Sequence, residues 1–96
     1  MIHNLEVFQN KVVCPRCNDG GGGFIYKVDL RSIDKIVYIC DECESLWADP
    51  IQIPKGFLID FPTYIEQYGY TYDAIGMKNI GMQNIDYHWL LEIDGH

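Results

Sequence analysis

In the first half of the chain, apolar positions fall in short runs rich in β-branched and aromatic residues, bounded by turn formers, and this pattern predicts strands. Lys11-Val12-Val13 reads as one short strand, and Phe24-Ile25-Tyr26-Lys27-Val28 as a second. Asp29-Leu30-Arg31-Ser32 reads as a turn, after which Lys35–Cys40 returns as a third strand. Ser45-Leu46-Trp47 predicts one more, ended by Pro50. Between the first two runs lies Gly20-Gly21-Gly22-Gly23, a slack connection on its composition. No Lys-Ser or Lys-Thr follows these glycines and no helix opens behind them, which excludes a phosphate-binding loop.

The pattern changes after residue 50. Ile51–Pro54 leads out of the strand region, and Pro54-Lys55-Gly56 reads as a turn. Asp60-Phe61-Pro62-Thr63 carries helix-start chemistry, with Asp60 as a cap and Pro62 in the first turn. Phe61, Tyr64, Ile65 and Tyr68 share one face at helical spacing, which predicts core positions for these aromatics, and Gly69 is the expected stop. A second short helix is expected over 71–77, capped by Thr71 and broken at Asn79-Ile80-Gly81. The β-branched and aromatic content of residues 85–93 predicts a final strand. The expected fold class is α+β: β-hairpins over residues 1–50, with an aromatic, acidic α/β extension over 51–96 packing on them.

All four cysteines stand in two matched pairs, Cys14-Pro15-Arg16-Cys17 and Cys40-Asp41-Glu42-Cys43, 22 residues apart. A two-residue gap lets each pair curl into a tight turn with both sulfurs on one side, and two such pairs suit a tetrahedral four-thiolate metal site. Four thiolates close the shell, so the site is structural rather than catalytic. Two alternatives compete. A redox Cys-x-x-Cys starts a helix, which the glycine run after Cys17 does not allow. Two disulfides call for a secreted protein, and Met1-Ile2-His3-Asn4 has neither the basic nor the apolar stretch of a signal peptide, so a cytoplasmic location is expected. His3, His88 and His96 are spare ligand types that four thiols leave unneeded.

In its order of knuckle, strand, turn, strand, knuckle, strand, with Leu46-Trp47 trailing the second pair, the chain over residues 11–49 resembles a zinc ribbon. That resemblance implies one structural zinc ion held by Cys14, Cys17, Cys40 and Cys43 between two β-turns, and it implies no activity. Ribbon knuckles often carry Gly after the second cysteine. Here Asn18 and Glu44 stand in those places; Asn18 tolerates a left-handed backbone, whereas Glu44 predicts a less regular second knuckle.

Charge then narrows the function classes. The 96 residues carry 14 acids against 7 bases, a formal net charge of −7, and neither half is basic. Nucleic-acid affinity draws chiefly on cations set against phosphates, so a nucleic-acid partner is disfavoured. There is no apolar run long enough to cross a membrane. No serine stands in a nucleophile motif, the zinc deaminase signature is absent, and Asp86 and His88, two apart on the expected strand, read as a surface salt bridge; an enzyme is not expected. Acids and tyrosines together suit a protein interface. The expected contact residues are Asp41, Glu42, Glu44, Asp60, Glu66, Tyr70 and Tyr72, facing a basic protein. In size and acidity, though through no residue motif, the chain also resembles small bacterial immunity proteins, which implies an antitoxin-like role against a basic nuclease toxin. The alternative is a nucleic-acid-associated ribbon in which Arg16, Lys27, Arg31 and Lys35 gather on one face.

Overall fold

A computed structural model describes residues 5–17, 22–50, 53 and 59–92. Its scaffold is one antiparallel sheet of seven strands in the order β1-β2-β3-β4-β5-β6, with β7 also joined to β3. The strands are β1 (Val7–Phe8), β2 (Lys11–Val13), β3 (Phe24–Leu30), β4 (Lys35–Cys40), β5 (Ser45–Trp47), β6 (Ile59–Asp60) and β7 (Met82–Asp86). Two short α-helices, α1 (Phe61–Glu66) and α2 (Ala74–Ile80), are described beside the sheet, so the class is α+β with the sheet dominant.

The expected strands at 11–13, 35–40 and 45–47 form with those bounds. Strand β3 runs past the expected turn to Leu30, because Val28 and Leu30 are both fully buried and pair with Val37 and Lys35 of β4. The reversal is a single 3₁₀ turn over Arg31–Ile33, closed by Asp34 in a left-handed conformation, φ 56°. The strand β1 was not foreseen. Gln9 and Asn10 form a two-residue hairpin loop with φ of 53° and 66°, the signature of a type I′ turn, reached without the Asn-Gly pair that would announce it in the sequence.

Alternation along β3, β4 and β5 divides the buried side chains between two faces. On one face Val28, Leu30, Val37, Ile39 and Leu46 pack with Phe61, Tyr64 and Ile65 of α1 and Ile80 of α2. On the other, Ile25, Tyr38, Cys40 and Trp47 pack with Val12, Cys14, Ile53 and Trp89. The Trp89 indole N–H donates to the Ile25 carbonyl at 2.9 Å, and its ring meets Tyr38 edge-on with centroids 4.8 Å apart.

The second half departs from expectation in several places. Asp60 caps α1 as foreseen, accepting from the Thr63 N–H at 3.0 Å, with Pro62 in the first turn. Phe61, Tyr64 and Ile65 are buried, but Tyr68 falls beyond the last helical residue and is exposed, touching only the outer edge of the core through Tyr64. The second helix begins three residues later than predicted and reaches Ile80, because Asp73 rather than Thr71 is the cap, accepting from the Gly76 N–H at 2.8 Å. Gly81, φ 72°, ends it in the left-handed conformation. The expected strand over 85–93 is displaced to 82–86, where it pairs with β3, and Trp89–Glu92 form a helical turn. A strand period would have left Trp89 on the sheet edge, whereas the turn carries it over the second face. The expected turn at 54–56 and residues 1–4, 18–21, 51–52 and 93–96 lie outside the described residues. No helix among the described residues is long and apolar enough to cross a membrane.

Gly76 is buried where α2 meets the preceding loop, and a methyl group there would overlap the Thr71 carbonyl oxygen. Gly76→Ala is expected to cost about 1–3 kcal/mol by overpacking against backbone that cannot give way. Ile75→Ala, at a neighbour that is 74% exposed, should stay within about 0.5 kcal/mol. Denaturant midpoints of the two variants test this.

Candidate metal centre

Pairing between β3 and β4 puts Ile25 opposite Cys40, so the first knuckle, which leads into β3, and the second, which follows β4, meet at the same end of the hairpin. The Cys14 N–H donates to the Gly23 carbonyl at 2.9 Å and the Asp41 N–H to the Phe24 carbonyl at 3.0 Å, locking both turns to the sheet. All four Sγ atoms lie within 4.8 Å of one another. Cys14 and Cys43 are 3.8 Å apart, Cys17 and Cys40 3.7 Å. A tetrahedron with metal–sulfur bonds of about 2.3 Å has edges of about 3.8 Å. A disulfide would need about 2.05 Å, and all four cysteines are free thiols. Donor type, donor number and edge length therefore fit one tetrahedral ion, consistent with a zinc-ribbon-like site.

The second knuckle is regular. Glu44 takes φ 61°, the left-handed conformation usually given to glycine there, and its N–H donates to the Cys40 carbonyl at 3.2 Å. The expectation of irregularity fails because the Phe61 N–H binds the Glu44 carbonyl at 2.8 Å, which anchors this residue to the start of α1 and offsets its conformational cost. The N–H groups of Glu42 and Cys43 point at Cys40 Sγ from 3.4 and 3.5 Å, and the Ser45 hydroxyl lies 3.1 Å from Cys43 Sγ. The two backbone contacts favour a charged Cys40 sulfur.

Against them stand burial and the crowding of like groups. Burial first, then hydrogen bonding with Cys43 and Cys40, pushes the Cys17 thiol up to about 11. Hydrogen bonding with Cys14 first, then burial, pushes Cys40 up. Without a cation these thiols resist ionisation at neutral pH, so metal uptake must displace protons. Gly23 is not slack. It is buried, and a Cβ there would stand 2.5 Å from Cys40 Sγ and 2.8 Å from Glu42 Cβ, so only glycine lets the strand pass under the sulfur.

The expected contact residues are dispersed. Asp41 accepts from the Phe24 N–H and the Tyr87 hydroxyl, both at 3.0 Å. Asp60 is occupied as the α1 cap. Glu42 and Glu66 are exposed, and Tyr70 is half-buried against the helix-side core. Tyr72 is 43% exposed, with its ring edge-on to Phe61 at 5.8 Å. Asp41, Glu44 and Tyr72 line one cleft of about 310 Å³ beside the second knuckle. Tyr26 and Tyr87 line it too, and sequence reasoning missed them because β7 and the turn after it are what bring Tyr87 to Tyr26, at 5.4 Å. Burial first, then the hydrogen bond to Asp41, raises the Tyr87 phenol to about 12.

The bases do not gather on one face. Lys27 pairs with Glu92 at 3.4 Å, and Arg31 donates to Gln83 at 3.3 Å. Arg16 lies in the first knuckle, while Lys35 begins β4 at the far end of the hairpin, about 17 Å away at strand rise. Asp86 makes no salt bridge with the His88 ring among the described residues; β7 ends at Asp86, whose carboxylate accepts from the His88 backbone N–H at 2.8 Å. No protein-family model, curated protein or solved structure matches the chain.

One divalent ion per chain is expected by native mass spectrometry, with Cys40→Ser losing it and melting at a lower temperature; an unchanged melting temperature would contradict the cysteine argument. Gly23→Ala should weaken metal binding while leaving all four thiols in place. Because the Cys17 and Cys40 thiols are raised, metal uptake displaces protons from them and affinity should fall as pH falls, measured by competition with a chromophoric chelator.

Proposed function

We propose that the four thiolates hold a single structural zinc ion and that the chain is a non-enzymatic protein-interaction module for a basic protein. The observation that carries this reading is the placing of charge. Asp41, Glu42 and Glu44 stand in and beside the second knuckle of a centre that is itself dianionic when a divalent ion sits among four thiolates, while only Arg16 stands in the first knuckle and Lys27 and Arg31 are engaged with neighbours. Such a field attracts cations and repels phosphate. Zinc suits the donor set because it is redox-inert and accepts four sulfurs without geometric penalty. A shell closed by four protein ligands leaves no position for a reacting water, in keeping with a structural role. The most specific form of the proposal is an immunity- or antitoxin-like protein that covers the phosphate-binding cleft of a nuclease toxin. Its test is capture of partners by the tagged, zinc-loaded chain from lysate of its own source cells, before and after nuclease treatment. The expected result is a stoichiometric basic protein, retained after nuclease, whose association slows by about tenfold or more from low to high salt. Recovery of RNA or DNA lost on nuclease treatment would instead favour a nucleic-acid-associated ribbon, and a salt-insensitive association rate would remove the electrostatic basis.

A further inference from the structure

The cleft beside the second knuckle has a composition that the zinc site does not explain. Two aromatic pairs line it, Tyr26 with Tyr87 and Phe61 with Tyr72, at centroid separations of 5.4 and 5.8 Å. Two carboxylates, Asp41 and Glu44, stand among them, and no lysine or arginine lines the cleft among the described residues. Aromatic faces attract cations through the ring quadrupole, most strongly where water is partly excluded. The two acids add a net negative field of the same preference. At about 310 Å³ the space is at the small end of ligand pockets, suited to one long side chain.

We propose that this cleft is the receptor for an arginine side chain presented by the basic protein partner. This deepens the interaction reading and rests on it. A guanidinium combines the two properties that the lining calls for: a flat face that stacks on tyrosine, and a fork of N–H donors that engages a carboxylate. Glu44 makes no side-chain hydrogen bond or ion pair among the described residues, and the second knuckle's left-handed turn holds it in place. Asp41 gives one oxygen to the Phe24 N–H and the other to the Tyr87 hydroxyl, yet a carboxylate has about four acceptor positions and keeps capacity for a guest. Tyr72, exposed over 43% of its surface, is the most accessible of the aromatic walls. The chain already holds a cation in a related way: Lys11 Nζ lies 5.2 Å from the Phe24 ring centre and 5.8 Å from that of Tyr87, though Lys11 does not line the cleft.

The test is an NMR titration of the zinc-loaded chain, following the aromatic side-chain signals, with a capped Gly-Arg-Gly peptide and its lysine and norleucine counterparts. Saturable shifts of Tyr26, Phe61, Tyr72 and Tyr87 are expected with the arginine peptide, weaker ones with lysine and none with norleucine. Tyr72→Ala and Glu44→Gln should each weaken binding several-fold while the remaining amide spectrum stays unchanged, which checks that both variants fold. Equal shifts with norleucine, absence of shifts with arginine, or binding untouched by both substitutions would overturn the proposal; a lysine peptide that binds as well would overturn the choice of arginine. The two readings fail separately. A captured basic protein that still binds the Tyr72→Ala chain removes the cleft and leaves the interaction module, whereas arginine binding without any basic partner removes the module and leaves the cleft.

Discussion

Everything in this molecule hangs on the register between β3 and β4. With Ile25 opposite Cys40, the turn entering β3 and the turn leaving β4 are brought to one end of the hairpin, and four sulfurs converge to within 4.8 Å. A shift of one residue would turn each side chain to the opposite face, exchanging the helix-side core for the Trp89 side and carrying Cys40 away from its partners. An ion held there would crosslink two turns distant in sequence, with Cys14–Cys43 at 3.8 Å and Cys17–Cys40 at 3.7 Å, so metal-binding energy would become folding energy. Gly23 marks how tight this fit is, since one methyl group would displace a ligand.

The same strands must be covered on both faces, which is unusual for a small antiparallel sheet. Helices α1 and α2 cover one side, and the Trp89 turn with Ile53 covers the other. Residues from the second half also extend the sheet, β6 beside β5 and β7 beside β3. The chain after residue 58 thus wraps the hairpin from helix side to tryptophan side. In a chain of this length such wrapping gives a thin core two buried layers, which a metal held by the four cysteines would support at one end.

That wrapping also decides what surrounds the four sulfurs on the outside. The backbone bond from Phe61 to Glu44 ties α1 to the second knuckle, and the hydroxyl of Tyr87 ties the end of β7 to Asp41. The Asp41 carboxylate, otherwise an independent surface charge, is thereby fixed beside aromatic rings, with the Glu44 backbone anchored next to it. Fixed charges near low-dielectric walls act more strongly than the same charges on mobile side chains in water.

Local chemistry was legible in the sequence alone. The paired cysteine spacing identified the donor set, β-branched runs located β2 and β4, and Asp60-Phe61-Pro62 marked the start of α1. Each of these depends on a few adjacent residues or on composition, and physical chemistry acts on them before the chain has folded. Tertiary structure decided the rest. Strand β7 formed at 82–86 because β3 had an edge to pair, and Trp89 left the strand pattern because the second face needed a cover. Glu44 accepted a left-handed backbone because α1 held its carbonyl, and Tyr68 lost its core place because the helix ended at Glu66. The cleft joining Tyr26, Phe61, Tyr72 and Tyr87 exists only after these long-range choices are made, since burial and pairing are settled over the whole chain and leave no signature in any one segment.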